Sequence, residues 1–152
     1  MAGPEDKLGN PDIELGTLQI WIHGREFPDS MDYWDGNWLQ ITAHCSALGA
    51  DVWTNGPFLR VPDIAGWIDA CERLYKTFQG EAYLGGIEPE FAVTLMGDKL
   101  GHVTMSVDIT PQYLTQRHTL KFDLDQSCLP THISACRVLL DKYPMRGKPD
   151  SA

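Results

Sequence analysis

Three consecutive stretches of the chain alternate apolar and polar residues with a period of two. They are Phe91, Val93 and Leu95; then Val103, Met105, Val107 and Ile109; then His118, Leu120, Phe122 and Leu124, running to Asp125. Successive side chains of a strand point to opposite faces, so each stretch reads as a strand with one apolar and one polar face. That pattern marks an antiparallel sheet covered on one side. The same alternation occurs upstream. Leu18, Ile20 and Ile22 oppose Thr17, Gln19, Trp21 and His23; Leu39, Ile41, Ala43 and Cys45 oppose Trp38, Gln40, Thr42 and His44. A further strand over residues 50–54 and 58–61 is interrupted by Asn55-Gly56-Pro57, a turn or bulge signal. Glu81–Leu84 reads as a short strand before Gly85-Gly86.

Two segments carry helical spacing instead. From about Asp63 to Gln79, residues Ile64, Trp67, Ile68, Cys71, Leu74, Tyr75 and Phe78 fall within roughly a 120° arc. Asp69–Arg73 and Glu72–Lys76 are i,i+4 pairs on its outer face, and Gly80 suits the position just past its end. A second helix, from about Ser127 to Lys142, places Leu129, Ile133, Cys136, Leu139, Leu140 and Tyr143 on one stripe and stops at Pro144.

The predicted order is βββ-α-(β)βββ-α. This is an α+β fold with a mostly antiparallel sheet of six to seven strands and two helices packed on one face. Residues 1–14 read as a flexible arm, 15–146 as a single α+β domain and 147–152 as a disordered tail.

Acidic side chains outnumber basic ones by 21 to 12 in the 152-residue chain, a net charge of −9. Such a balance argues against nucleic-acid binding, which needs a basic surface for phosphate, and against a polybasic membrane-surface role. The excess is uneven. Residues 1–36 hold eight acids (Glu5, Asp6, Asp12, Glu14, Glu26, Asp29, Asp32 and Asp35) against Lys7 and Arg25, so the first quarter carries −6 of the −9. No apolar stretch approaches the ~20 residues that span a bilayer, and the N-terminus lacks the basic and apolar regions of a secretory signal. Four cysteines without CxxC spacing read as free thiols. The expected location is the cytoplasm.

Chemistry is sparse. No GxSxG, HExxH, Walker A or GxGxxG motif occurs. Cys128, His132 and Cys136 share one helix flank, but closed metal sites usually need four ligands and turn-shaped spacings, so they read as a small-residue flank of the core stripe with His132 as its border. Glu88/Glu90 and Asp123/Asp125 are i,i+2 pairs on extended backbone that a hydrolase can use. The first pair also reads as a strand entry, and Asp125 as a helix cap. No catalytic, cofactor-binding or metal-ligating residue is assigned. The densest feature is residues 29–38, with three acids and three aromatics in ten residues. It reads either as a binding surface or, in its tryptophans, as a small second core.

The segments YWDGNWLQITAHC (33–45), GIEPEFAVTL (86–95) and KFDLDQSCLP (121–130), with a final helix ending in KYP (142–144), resemble the WapI family of bacterial immunity proteins. The resemblance covers about residues 30–146. Its marks are Trp34, Asp35, Asn37, Trp38, Glu88, Pro89, Asp125, Gln126 and Leu129.

The resemblance implies a non-enzymatic role: binding and neutralising the toxic C-terminal domain of a contact-dependent or polymorphic toxin, some of which are RNases. A nuclease domain tends to be basic, and an acidic inhibitor would be steered to it. The expected partner is therefore a basic cognate toxin domain, with no cofactor, nucleic acid or membrane. Asp29, Asp32, Trp34, Asp35, Asp51 and Trp53 are the expected partner-binding residues. The competing classes are a small hydrolase and a homo-oligomeric interaction protein pairing through a sheet edge. Oligomeric state is left open.

Overall fold

The computed structural model describes residues 8–149. Eight strands form two four-stranded antiparallel sheets. The first contains β1 (Ile13–Leu15), β2 (Leu18–Arg25), β3 (Trp38–Ala47) and β4 (Ala50–Arg60) in chain order. Helix α1 (Val61–Thr77) leads to the second sheet: β5 (Gly80–Gly85), β6 (Phe91–Gly97), β7 (His102–Ile109) and β8 (Thr119–Asp125). A 3-10 turn (Gln126–Cys128) then enters α2 (Leu129–Lys142).

The α+β class and the broad order agree with the sequence; the single sheet of six to seven strands does not. Each meander pairs only within itself, and α1 separates the two in sequence. The inward faces of both sheets and the stripes of both helices meet in one core. Contacts between β3, β4, β7 and β8 join the sheets, while α1 runs beside β5 and α2, and α2 packs on β1. The helices therefore close one side of a two-sheet core rather than covering one sheet.

The eighth strand is β1, inside the stretch whose polar composition reads as an arm. Its apolar signal is only Ile13 and Leu15, yet both are buried and pair with β2. Gly16, at φ +59°, makes the turn between them, in a left-handed conformation that favours glycine. Residues 1–7 of the predicted arm and residues 150–152 of the predicted tail lie outside the described residues.

The Asn55-Gly56-Pro57 signal is a bulge inside one continuous strand. Leu39 faces Leu59 and Ile41 faces Gly56, so β4 carries an extra residue there. Helix α1 starts two residues earlier than predicted, with Asp63 Oδ2 accepting from the Arg60 N–H at 2.9 Å and Pro62 in the first turn. It ends on Phe78 at φ +59°, not on Gly80 as the left-handed residue. The stripe residues Ile64, Trp67, Ile68, Cys71 and Leu74 are buried; Tyr75 and Phe78 are exposed. Glu72 ion-pairs with Arg137 of α2 across the helix pair. Asp125, predicted to cap the last helix, instead caps the 3-10 turn that enters it, accepting from Ser127 N–H at 2.9 Å. All four cysteines are free, and no helix among the described residues is long and apolar enough to cross a membrane.

Candidate partner-binding site

Residues 26–37 connect β2 to β3. The connection is pinned at its base by Glu26 N–H donating to Trp38 O at 2.9 Å. Asp32 folds the loop locally. Its Oδ2 accepts from the backbone N–H groups of Trp34 at 2.9 Å and Asp35 at 3.0 Å. This is an Asx turn, which short acidic side chains form readily. Gly36 lets the loop close: a Cβ there would lie 2.5 Å from Ser30 O and 2.6 Å from Asp32 O.

Three arginines and one asparagine then grip the loop by its carbonyl oxygens. Arg25 donates to Gly36 O at 2.6 Å and also to Pro144 O. Arg60 donates to Tyr33 O at 2.5 Å. Arg146 donates to Pro28 O at 2.6 Å and to Ser30 O at 2.7 Å. Asn37, fully buried, donates from Nδ2 to Tyr33 O at 2.7 Å and Arg146 O at 2.9 Å. Its Oδ1 accepts from the Arg146 backbone N–H at 3.0 Å. The segment 144–147 is thus a wall of the loop, and it includes Gly147, the first residue of the predicted tail, where a Cβ would lie 2.7 Å from Tyr33 N. Burial, and then the nearby Arg146 cation, lower the pKa of Arg25 below its ordinary value.

Arg60 is also ringed by aromatics. Its guanidinium carbon lies 4.6 Å from the Trp34 ring centre, 4.8 Å from Tyr33 and 5.7 Å from Trp38. These are cation–π distances, and desolvation strengthens them. Arg60 is 8% exposed, while Trp34, stacked on it, remains 59% exposed.

The arginines are committed to backbone carbonyls rather than to carboxylates. Among the described residues, no ion pair joins them to Asp29, Asp32 or Asp35, all of which are exposed. The loop therefore presents carboxylates outward on a frame held from beneath by cations.

Of the six residues singled out in the sequence, Asp29, Asp32, Trp34 and Asp35 share this loop. Asp51 and Trp53 do not join them. Trp53 pairs with His44 on β3, six residues beyond Trp38 or about 20 Å along the strand. Trp53 stacks on His44 at 3.9 Å and on Trp21 at 5.7 Å. His44 Nε2 lies 2.5 Å from Asp51 Oδ1, and its Nδ1 lies 2.8 Å from Gln19 Oε1. Trp21, 3% exposed, donates from its indole to Gly9 O at 3.0 Å. The tryptophans thus divide: Trp21 and Trp53 form a small second core on the outer face of the first sheet, and Trp34 stays open.

The carboxylate pairs remain apart. Glu90 sits where β6 begins, beside Thr110 past the end of β7, while Asp125 faces His102 at the start of β7. The length of β7, about 23 Å, separates them. A cleft of about 400 Å³ lies between the β1–β2 turn and α2, lined by Asp12, Glu14, Cys128, Thr131 and His132 among others. His132 is buried, which lowers its pKa. Both its ring nitrogens are taken, by the Trp67 indole and by Glu14 O, so it is not placed to move a substrate proton. No group of three or more potential metal ligands occurs among the described residues.

Sequence reasoning missed Arg25, Arg60 and Arg146. A partial signal existed in Arg25, one of only two basic residues in an acidic quarter. Comparison with known proteins gives one finding: the sequence model of the Immunity protein WapI-like family matches residues 9–144. No curated protein and no solved structure matches the chain.

Proposed function

The chain belongs to the WapI-like immunity protein family, and on that premise we propose that it binds and neutralises the toxic domain of a cognate bacterial toxin without enzymatic action. It acts in the cytoplasm, and the loop 26–37 supplies part of the interface. The observation that carries this reading is the division of labour in the loop. Arg25, Arg60 and Arg146 hold its carbonyls, leaving Asp29, Asp32 and Asp35 exposed around Trp34. A loop fixed before binding loses little entropy when a partner docks. Outward carboxylates steer a basic partner, as a toxin that binds phosphate would be. A nuclease fits this description, and the carboxylates would compete with its substrate for the same cations.

The test is co-expression with the toxic C-terminal domain encoded beside the gene for this chain. The wild-type protein restores growth. Asp29→Lys/Asp35→Lys weakens binding to the purified toxin domain by about tenfold or more at low salt, because two steering charges are reversed. Asp32 is left in place since it folds the loop. Unchanged affinity would remove this loop from the interface.

A further inference from the structure

We infer that the interface has an apolar centre made jointly by the 26–37 loop and the C-terminal segment, and that it fits a basic protein surface with an apolar middle ringed by Lys or Arg. The inference rests on the immunity reading and specifies what that partner must present.

Phe27, Met31, Trp34 and Met145 are large apolar side chains that remain 46%, 68%, 59% and 47% exposed. The first three lie within eight residues of one loop. Met145 comes from the far end of the chain but is fixed against that loop by its neighbours. Pro144 O accepts from Arg25, Arg146 reaches Pro28 O and Ser30 O, and a Cβ on Gly147 would lie 2.7 Å from Tyr33 N. Other exposed apolar side chains, such as Leu48, Ile87 and Leu114, are scattered and need no explanation, whereas these four share one hydrogen-bonded loop and the segment that walls it. The carboxylates of Asp29, Asp32 and Asp35 are interleaved with them. Apolar centre and charged rim is the anatomy of a protein interface, in which methionine and aromatics are enriched. The charge of the rim selects the partner: a second copy would bring the same carboxylates together, while a basic domain neutralises them.

Centre and rim have separable kinetic signatures. Rim charges govern the association rate and its salt dependence, and desolvated apolar contacts govern dissociation. The experiment is surface-immobilised binding of the toxin domain at several salt concentrations, with sedimentation of the free protein. Met31→Ser/Met145→Ser is expected to raise the dissociation rate by about tenfold or more while leaving the association rate and its salt slope unchanged. Both side chains are exposed, so the variant keeps its fold, checked by its melting temperature. The free protein is expected to sediment as a monomer. An unchanged dissociation rate, or a dimer that the same two substitutions dissolve, overturns the apolar centre while toxin binding by the wild type stands. Failure of the wild type to bind the toxin domain overturns the immunity reading itself.

Discussion

The indole N–H of Trp67 donates to Nε2 of His132 at 2.7 Å, in a buried contact between the two helices. An acceptor at Nε2 fixes the proton on Nδ1, which then donates to Glu14 O at 2.9 Å. One neutral imidazole thereby ties α1, α2 and β1 together, across 118 residues of sequence for its bond to Glu14. A strand of three residues has little pairing of its own, and this bond holds it on the helix pair.

Acid should loosen that tie. Burial lowers the pKa of His132 from the ordinary 6.5, opposed by the bond to Glu14. In the interval below 6.5, the unfolded chain binds a proton that the folded one resists, so stability rises with pH. The contribution is complete above 6.5 and is lost as pH falls through the folded value. Urea midpoints at about pH 7.5 and about pH 5 should differ more in the wild type than in His132→Gln, which offers an acceptor without a titrating ring. Equal drops would assign the acid sensitivity to other groups.

Asn37→Asp tests the loop's frame with an isosteric change. Nδ2 faces two carbonyl oxygens, Tyr33 O and Arg146 O, and a carboxylate has no proton for either. The side chain is fully buried. The expected cost is about 2–4 kcal/mol. For a chain of this size that lowers Tm by roughly 10 °C in calorimetry.

Arg60→Lys keeps the charge but loses the planar group that lies against both Tyr33 and Trp34 and reaches Tyr33 O. Stability should fall by about 1–2 kcal/mol. Chymotrypsin should cut at Tyr33 and Trp34 in the variant faster than in the wild type, read by mass spectrometry of the fragments. Wild-type cleavage rates in the variant would show that the loop is held without the ring of aromatics.

The strands and helices were legible because period two and period 3.6 are local signals, and each buried face is written in consecutive residues such as Val103, Met105 and Val107. The strand β1 escaped because Ile13 and Leu15 are too few to show a period. They are held by pairing with β2 and by His132, far along the chain. The division into two sheets escaped for a related reason: pairing within each meander is local, but which apolar faces meet is a tertiary choice. In the candidate site, acids and aromatics stood out by density. The arginines that organise them did not, because Arg60 and Arg146 reach the loop from distant elements and bond to backbone oxygens, which leave no trace in side-chain pattern. Asp51 and Trp53 show the converse. Expected to act with the loop, they stand apart from it in space and form a clasp with His44.

That clasp yields a prediction separating stability from binding. Trp53→Ala removes two ring stacks, with His44 at 3.9 Å and with Trp21 at 5.7 Å, and uncovers the outer face of the first sheet. Its expected cost is about 3 kcal/mol, in line with truncating a packed aromatic. Because Trp53 lies about 20 Å along the strand from the loop, the surviving folded protein should bind the toxin domain as tightly as the wild type. Asp51→Lys should cost far less affinity than Asp29→Lys alone, which changes the net charge by the same amount. Both measurements belong in one titration series at matched ionic strength, since like changes in net charge alter long-range steering wherever they sit. If Asp51→Lys weakens binding as much as one loop reversal, the steering comes from overall charge and the loop loses its special place. If it does not, the acidity of the first quarter acts through the outward carboxylates of the loop that Arg25, Arg60 and Arg146 hold.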